Sequence, residues 1–122
     1  MEGFGYPTVR LLLDHIISAE KYWISVVLGR MDLEEPNYPT IEMIEKYRLE
    51  VFGVTENYLK AASSEELNTP RKMITWQNIE RTLIPAHVIM RTQTHIYHHQ
   101  GQIMAICRLL GKPAEGMDFP II

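Results

Sequence analysis

Apolar residues recur every three or four positions over three long stretches of the chain, the spacing of helices with one buried face. These stretches cover residues 8 to about 30, 40 to about 62, and about 85 to 110. Gly111 follows the third stretch and Pro113 lies just beyond, a typical stop signal for a helix. The pattern therefore predicts three long helices.

The segments between these stretches are more polar or contain helix breakers. Residues 31–39, "MDLEEPNYP", contain two prolines and are predicted to be irregular. "SSEEL" suggests a short capped turn. "RKMITWQNIERTL" then contains two short β-prone pieces around Gln77 and Asn78, which predict a small hairpin between the second and third helices. The final "KPAEGMDFPII" is expected to be a tail.

Composition narrows the class of protein. The 122 residues suit one domain, residues 1–122, and 46% hydrophobic with 22% charged residues is typical of a globular fold. A net charge of -3 with scattered Lys and Arg argues against nucleic acid as a partner, and no apolar run reaches the roughly 20 residues that span a membrane. The single Cys107 and the leaderless start "MEGFGYPTV" lead us to expect a cytoplasmic location.

Three of the five histidines are predicted to face the core. His95 and His99 are one helical turn apart, so their rings project from one face of the third helix. His15 lies amid the apolar residues of the first helix, whose polar side carries Arg10, Asp14 and Lys21. Buried imidazoles need partners for their ring nitrogens, and a His-x-x-x-His pair with one distant His is a common ligand set for Zn, Ni, Cu or Fe.

The alternative for these residues is a set of hydrogen-bonded core histidines without an ion. His87 and His98 lie at the edge of the inward face and are expected to be partly solvated surface residues. Gln102 or Tyr22 would supply hydrogen bonds around a metal site, although each has a simpler role, in binding water or in filling the core. Two further residues are assigned no chemistry: Cys107 is expected to be a small core residue, and Glu20 to be solvated.

Two segments carry a resemblance to a known family. "GYPTVRLLLDHIISAEKYWI" and, about eighty residues later, "HIYHHQGQIMAICRLLG" resemble the DinB/YfiT-like family of metal-binding helical bundles. The resemblance implies an all-α fold, an up-down helical bundle in which His15, His95 and His99 hold Zn or Ni. Three protein ligands leave a coordination position open for water or a thiol. The implied function is a metal-dependent enzyme that activates a low-molecular-weight thiol or water, as a thiol S-transferase or hydrolase; the alternative is a non-catalytic stress-related bundle that binds a metal or small ligand.

The sequence departs from the family pattern in two places. Gln100 stands where the family motif has Arg, which removes a charge beside the site. The family also has a further helix before "GFGYPTV", so the bundle here is expected to be reduced to three long helices. The first helix has a second apolar set that would then be exposed on a monomer: Leu13, Ile17, Ile24 and Leu28. We therefore expect a homodimer whose partner covers this face; the alternative is a truncated sequence.

Overall fold

The described part of the chain forms four α-helices and one hairpin. The computed structural model describes residues 8–30 and 37–114. Its elements are α1 (Val9–Val27), α2 (Ile41–Ala61), α3 (Ser64–Asn68), β1 (Arg71–Thr75), β2 (Ile79–Leu83) and α4 (Pro85–Leu109). The three predicted long helices and the predicted hairpin are confirmed. Residues 31–36 and 115–122, both predicted to be irregular, lie outside the described residues.

Local signals in the sequence set the helix bounds. The hydroxyls of Thr8, Thr40 and Ser63 each accept a hydrogen bond from the backbone amide three residues later, at the starts of α1, α2 and α3. Helix α4 begins at Pro85, whose missing N–H costs nothing in the first turn. Past its end Gly111 has φ of 75°, a left-handed conformation that favours glycine.

The hairpin is attached to α1 by aromatic residues. β1 and β2 pair antiparallel across a tight turn in which Gln77 and Asn78 have φ of 58° and 57°. The Tyr22 hydroxyl accepts a hydrogen bond of 2.8 Å from the Trp76 backbone amide. The rings of Trp23 and Trp76 also approach to 5.7 Å between centroids. These contacts fix the hairpin against the second half of α1.

Helix α1 is the central helix, because both α2 and α4 pack against it. Ser18 contacts the Tyr47 hydroxyl at 3.3 Å, and further along both helices Ile24 joins Tyr58 in one buried cluster. Both positions advance together, so α1 and α2 run in the same direction. The start of α2 therefore lies towards the start of α1.

Helix α4 runs opposite to α1. His15 near the start of α1 contacts His95, whereas Trp23 near its end lies 5.4 Å from the guanidinium of Arg91. As the position in α1 advances, the position in α4 decreases.

Within the described residues, 8–30 and 37–114, no helix is long and apolar enough to cross a membrane.

The apolar set of α1 that we expected to be exposed is mostly buried. Ile17 and Ile24 are only 5% and 3% exposed, and Leu13 packs against the same cluster as Ile17. That cluster is completed by α2 through Ile44, Tyr47 and Val51. Leu28 alone of the set is exposed. The prediction of a large exposed patch is wrong for Ile17 and Ile24, which α2 covers, whereas Leu13 stays half-buried.

Candidate metal centre

The contact between α1 and α4 brings three histidines to one point. His15 comes from α1, and His95 and His99 are one turn apart on α4. The Nε2 atom of His95 lies 3.2 Å from Nε2 of His15 and 3.1 Å from Nε2 of His99. One ligand nitrogen from each residue lies within 4.8 Å of the other two. We call these three residues the histidine cluster.

The rings of the cluster meet edge to face. The planes of His15 and His99 are 89° apart, and those of His95 and His99 are 77° apart. The Nε2 distances, rather than these angles, show that the nitrogens meet at the shared point. His99 is only 9% exposed and the other two rings are half-buried, so the cluster lies at the edge of the core.

A hydrogen bond to Gln102 fixes the protonation of one ring. The Oε1 atom of Gln102 lies 2.6 Å from Nδ1 of His99. Because an amide oxygen only accepts, Nδ1 of His99 carries the proton, and in the neutral ring Nε2 presents a lone pair to the cluster. The predicted proximity of Gln102 to the cluster is confirmed as a contact.

The number of ring protons limits how many hydrogen bonds three neutral imidazole rings can form with one another. His95 Nε2 can donate its single proton to the lone pair of His99. That proton cannot also form a straight hydrogen bond to His15, and a proton on His15 Nε2 would point at the proton of His95. A cation accepts all three lone pairs at once.

The environment keeps His95 in the form that binds metals. Burial, followed by the nearby rings of His99, His15 and His98 and by Arg91, lowers the pKa of His95 to about 4. The ring is therefore neutral at neutral pH. Three neutral imidazole nitrogens are a donor set that fits Zn or Ni. Among the described residues, no other group of three or more His, Cys, Asp or Glu has this proximity.

The remaining candidates lie outside the cluster. His87 and His98 are both exposed, as predicted, although the His98 ring is 5.0 Å from that of His99 between centroids. Cys107 is a half-buried free thiol. Tyr22 uses its hydroxyl at the hairpin, where it accepts from Trp76, so the structure supports its packing role.

Glu20 is buried, and the prediction that it is solvated is wrong. Its residue exposure is 7%, and its Oε1 accepts a hydrogen bond of 3.2 Å from the Thr55 hydroxyl on α2. Burial raises the pKa of the Glu20 carboxyl, while the Thr55 hydrogen bond and the charge of Arg48 lower it by less. A helical wheel for α1 alone could not show this, because α2 packs on the side opposite α4.

Asp14 also departs from the sequence-based expectation. Assigned to the polar side of α1, it is only 4% exposed, and within the described residues neither carboxylate oxygen accepts a well-formed hydrogen bond. Burial raises its pKa, and the nearby Tyr38 amide and Arg10 guanidinium lower it by less. Arg10 remains at 4.0 Å, too far for a direct hydrogen bond.

Comparisons with known proteins identify the family and the fold. The model of the DinB family matches residues 2–122. The fold is similar to the crystal structure of a DinB-like protein from Bacillus cereus ATCC 10987, with a TM-score of 0.70 and 20% identity over 93% of this chain and 75% of that one. No curated protein sequence matches this chain. The helical bundle and the family model lead to one conclusion: the chain belongs to the DinB family.

Proposed function

We propose that the histidine cluster holds one divalent metal ion, Zn or Ni, with His15, His95 and His99 as its ligands. The convergence of three Nε2 atoms supports this assignment most strongly. Gln102 supports it independently, because a hydrogen bond on the far nitrogen of a ligating His is the usual way to fix the tautomer and orient the ring.

We further propose that the protein is a metal-dependent enzyme of the thiol S-transferase or hydrolase type. Three protein ligands leave room for a water or a low-molecular-weight thiol, and a bound divalent ion lowers the pKa of either. His15 and His95 are half-buried rather than sealed, so a small molecule could approach the cluster from solvent. The second candidate is a non-catalytic bundle that binds a metal or small ligand.

We also propose that the protein is a cytoplasmic homodimer. The free thiol of Cys107 suits a reducing compartment. Self-association is supported by apolar side chains that α2 leaves exposed, chiefly Ile41 at 77%, Leu49 at 53% and Phe52 at 47%. The exposed face of α2 is therefore the reason to expect a partner, because α2 covers most of the α1 face that the sequence suggested.

Metal analysis of untagged protein tests the metal site. We expect about one ion per chain, identified by elemental analysis or X-ray absorption. His99→Ala should lose the ion after dialysis, whereas His87→Ala, which removes an exposed histidine of the same helix, should retain it. Equal metal content in the two variants, or none in the unmodified protein, would refute the assignment.

Catalysis requires a separate assay. Metal-loaded protein is incubated with bacillithiol, mycothiol or glutathione and a panel of electrophiles, and separately with ester and amide substrates. We expect turnover that His99→Ala abolishes and His87→Ala keeps. Full metal occupancy without turnover in either panel would favour the non-catalytic alternative.

A further inference from the structure

A surface groove lies between α2 and α4, with α1 as its floor. Its volume is about 350 Å³. Leu13 and Ile17 line the floor, Ile96 lines the α4 side, and Ile41 and Phe52 line the α2 side. Ile41 and Phe52 remain 77% and 47% exposed, so each offers apolar surface to an occupant.

Five α2 residues line the groove, and four of them, without Ile44, stand in a symmetric order. Ile41, Glu45, Arg48 and Phe52 all line the groove, at successive spacings of four, three and four residues. Such spacing places them on one stripe of the helix. The stripe reads apolar, acidic, basic, apolar. Within the chain Glu45 accepts two hydrogen bonds from Arg48, at 2.8 and 2.7 Å, so both charges already lie at the groove.

This order is complementary to itself when reversed. If two such helices lie antiparallel with their centres between residues 46 and 47, Ile41 of each faces Phe52 of the other. In the same register Glu45 of each faces Arg48 of the other. A two-fold axis requires this reciprocity, because every contact between two different residues occurs twice, once in each direction.

We infer that the groove is the dimer interface, in which α2 of a second copy lies antiparallel along the Ile41–Glu45–Arg48–Phe52 stripe. The inference rests on the proposed homodimer and specifies its surface and register. The apolar pairs would supply the contact area, and the charged pairs would select the antiparallel register.

The order of charges favours a second copy of the chain as the occupant, because a self-complementary stripe has no role if another segment fills the groove.

Charge reversal tests the register. In E45R both charged positions of the stripe are positive, and in R48E both are negative, so each homodimer places like charges together at two sites. We expect each variant alone to raise the dimer Kd about tenfold or more. An equimolar mixture should form a heterodimer, because both contacts between the chains are then attractive. Pairing within one helix cannot produce this rescue, since each chain carries like charges.

The measurement is sedimentation equilibrium across a concentration series, with the mass compared with twice the 14.2 kDa chain. E50R is the matched control: Glu50 is exposed, lies about 140° around α2 from Glu45, and should leave the dimer intact. Circular dichroism checks folding, which exposed helical substitutions should alter little.

Each outcome has a distinct meaning. A monomeric unmodified protein overturns the interface, whatever else fills the groove. A dimer unaffected by E45R and R48E, or weakened equally by E50R, places the interface elsewhere or makes the effect non-specific. Weakening without rescue in the mixture overturns the register. Metal content, measured on the same samples, reports on the histidine cluster separately.

Discussion

Opposite sides of α1 bury polar groups in contrasting ways. On the side facing α4, His15 meets two further imidazoles at distances of 3.1 to 3.2 Å between nitrogens. On the side facing α2, Glu20 is buried and accepts a hydrogen bond from the Thr55 hydroxyl. Asp14 is buried without a well-formed hydrogen bond to its carboxylate from any described residue.

Burial favours the neutral form on both sides, but the consequences differ. It lowers the pKa of His95 and raises the pKa of Glu20, as expected for a base and an acid. Neutral imidazoles that converge can bind a cation. The Glu20 carboxyl group does not converge with other candidate ligands, and the Thr55 hydrogen bond compensates its burial locally. Convergence, rather than burial, therefore distinguishes the candidate site.

The largest effect should come from the hydrogen bond behind the histidine cluster. Gln102→Leu removes the acceptor for Nδ1 of His99, so that ring can rotate and change tautomer. We expect metal affinity to fall about 10- to 100-fold, measured by competition with a chromophoric chelator. Gln102→Glu keeps an acceptor and should retain most of the affinity. Equal affinities for the two variants would show that Gln102 does not orient the site.

On the α2 side, Thr55→Val tests how far one hydroxyl supports a buried acid. The change leaves Glu20 without its Thr55 donor, and we expect the free energy of unfolding to fall by about 1–3 kcal/mol. Urea unfolding at pH 7 and fixed protein concentration measures it. Thr55→Ser retains the hydroxyl and should lose less. A larger loss in the Ser variant would mean that packing of the Thr methyl group dominates.

A smaller effect should appear in the pH dependence of Glu20→Gln. Because the folded pKa of Glu20 is raised above 4.5, the folded protein binds more protons than the unfolded chain above that pH. The stability of the unmodified protein, relative to the variant, should therefore decline as the pH rises from about 4.5 through the folded pKa. We expect a change of about 1 kcal/mol, the usual size of a single-site effect.

Unfolding of both proteins at matched concentration, from pH 4 to 7, provides this comparison, since Asp14 and the histidines are common to both. A stability difference that stays constant across the range would show that Glu20 titrates normally in the folded protein.

Much of the architecture was predictable because its signals are local. Capping hydroxyls, Pro85 and Gly111 placed the helix ends, and β-prone residues around Gln77 indicated the hairpin. His95 and His99 had to share a face because they are one turn apart on one helix. Gln102 was identified for the same reason, being three residues from His99.

The failures all concern α1 and its neighbours. Charged residues are seldom buried, so Asp14 and Glu20 were assigned to solvent. The assignment also assumed that each helix has one buried face. Helix α1 has two, since α2 and α4 pack on either side of it. The same geometry covers Ile17 and Ile24, which had seemed to need a partner subunit.

The sequence by itself determined where each helix begins and ends, which residues share a helical face, and the motifs that indicate the DinB family. Only the tertiary structure decided which helix covers each face of α1, and that His15 reaches the pair on α4. Helical periodicity fixes the direction in which a side chain points from the axis of its helix. The neighbour it meets depends on how distant segments pack, and no local pattern encodes that arrangement.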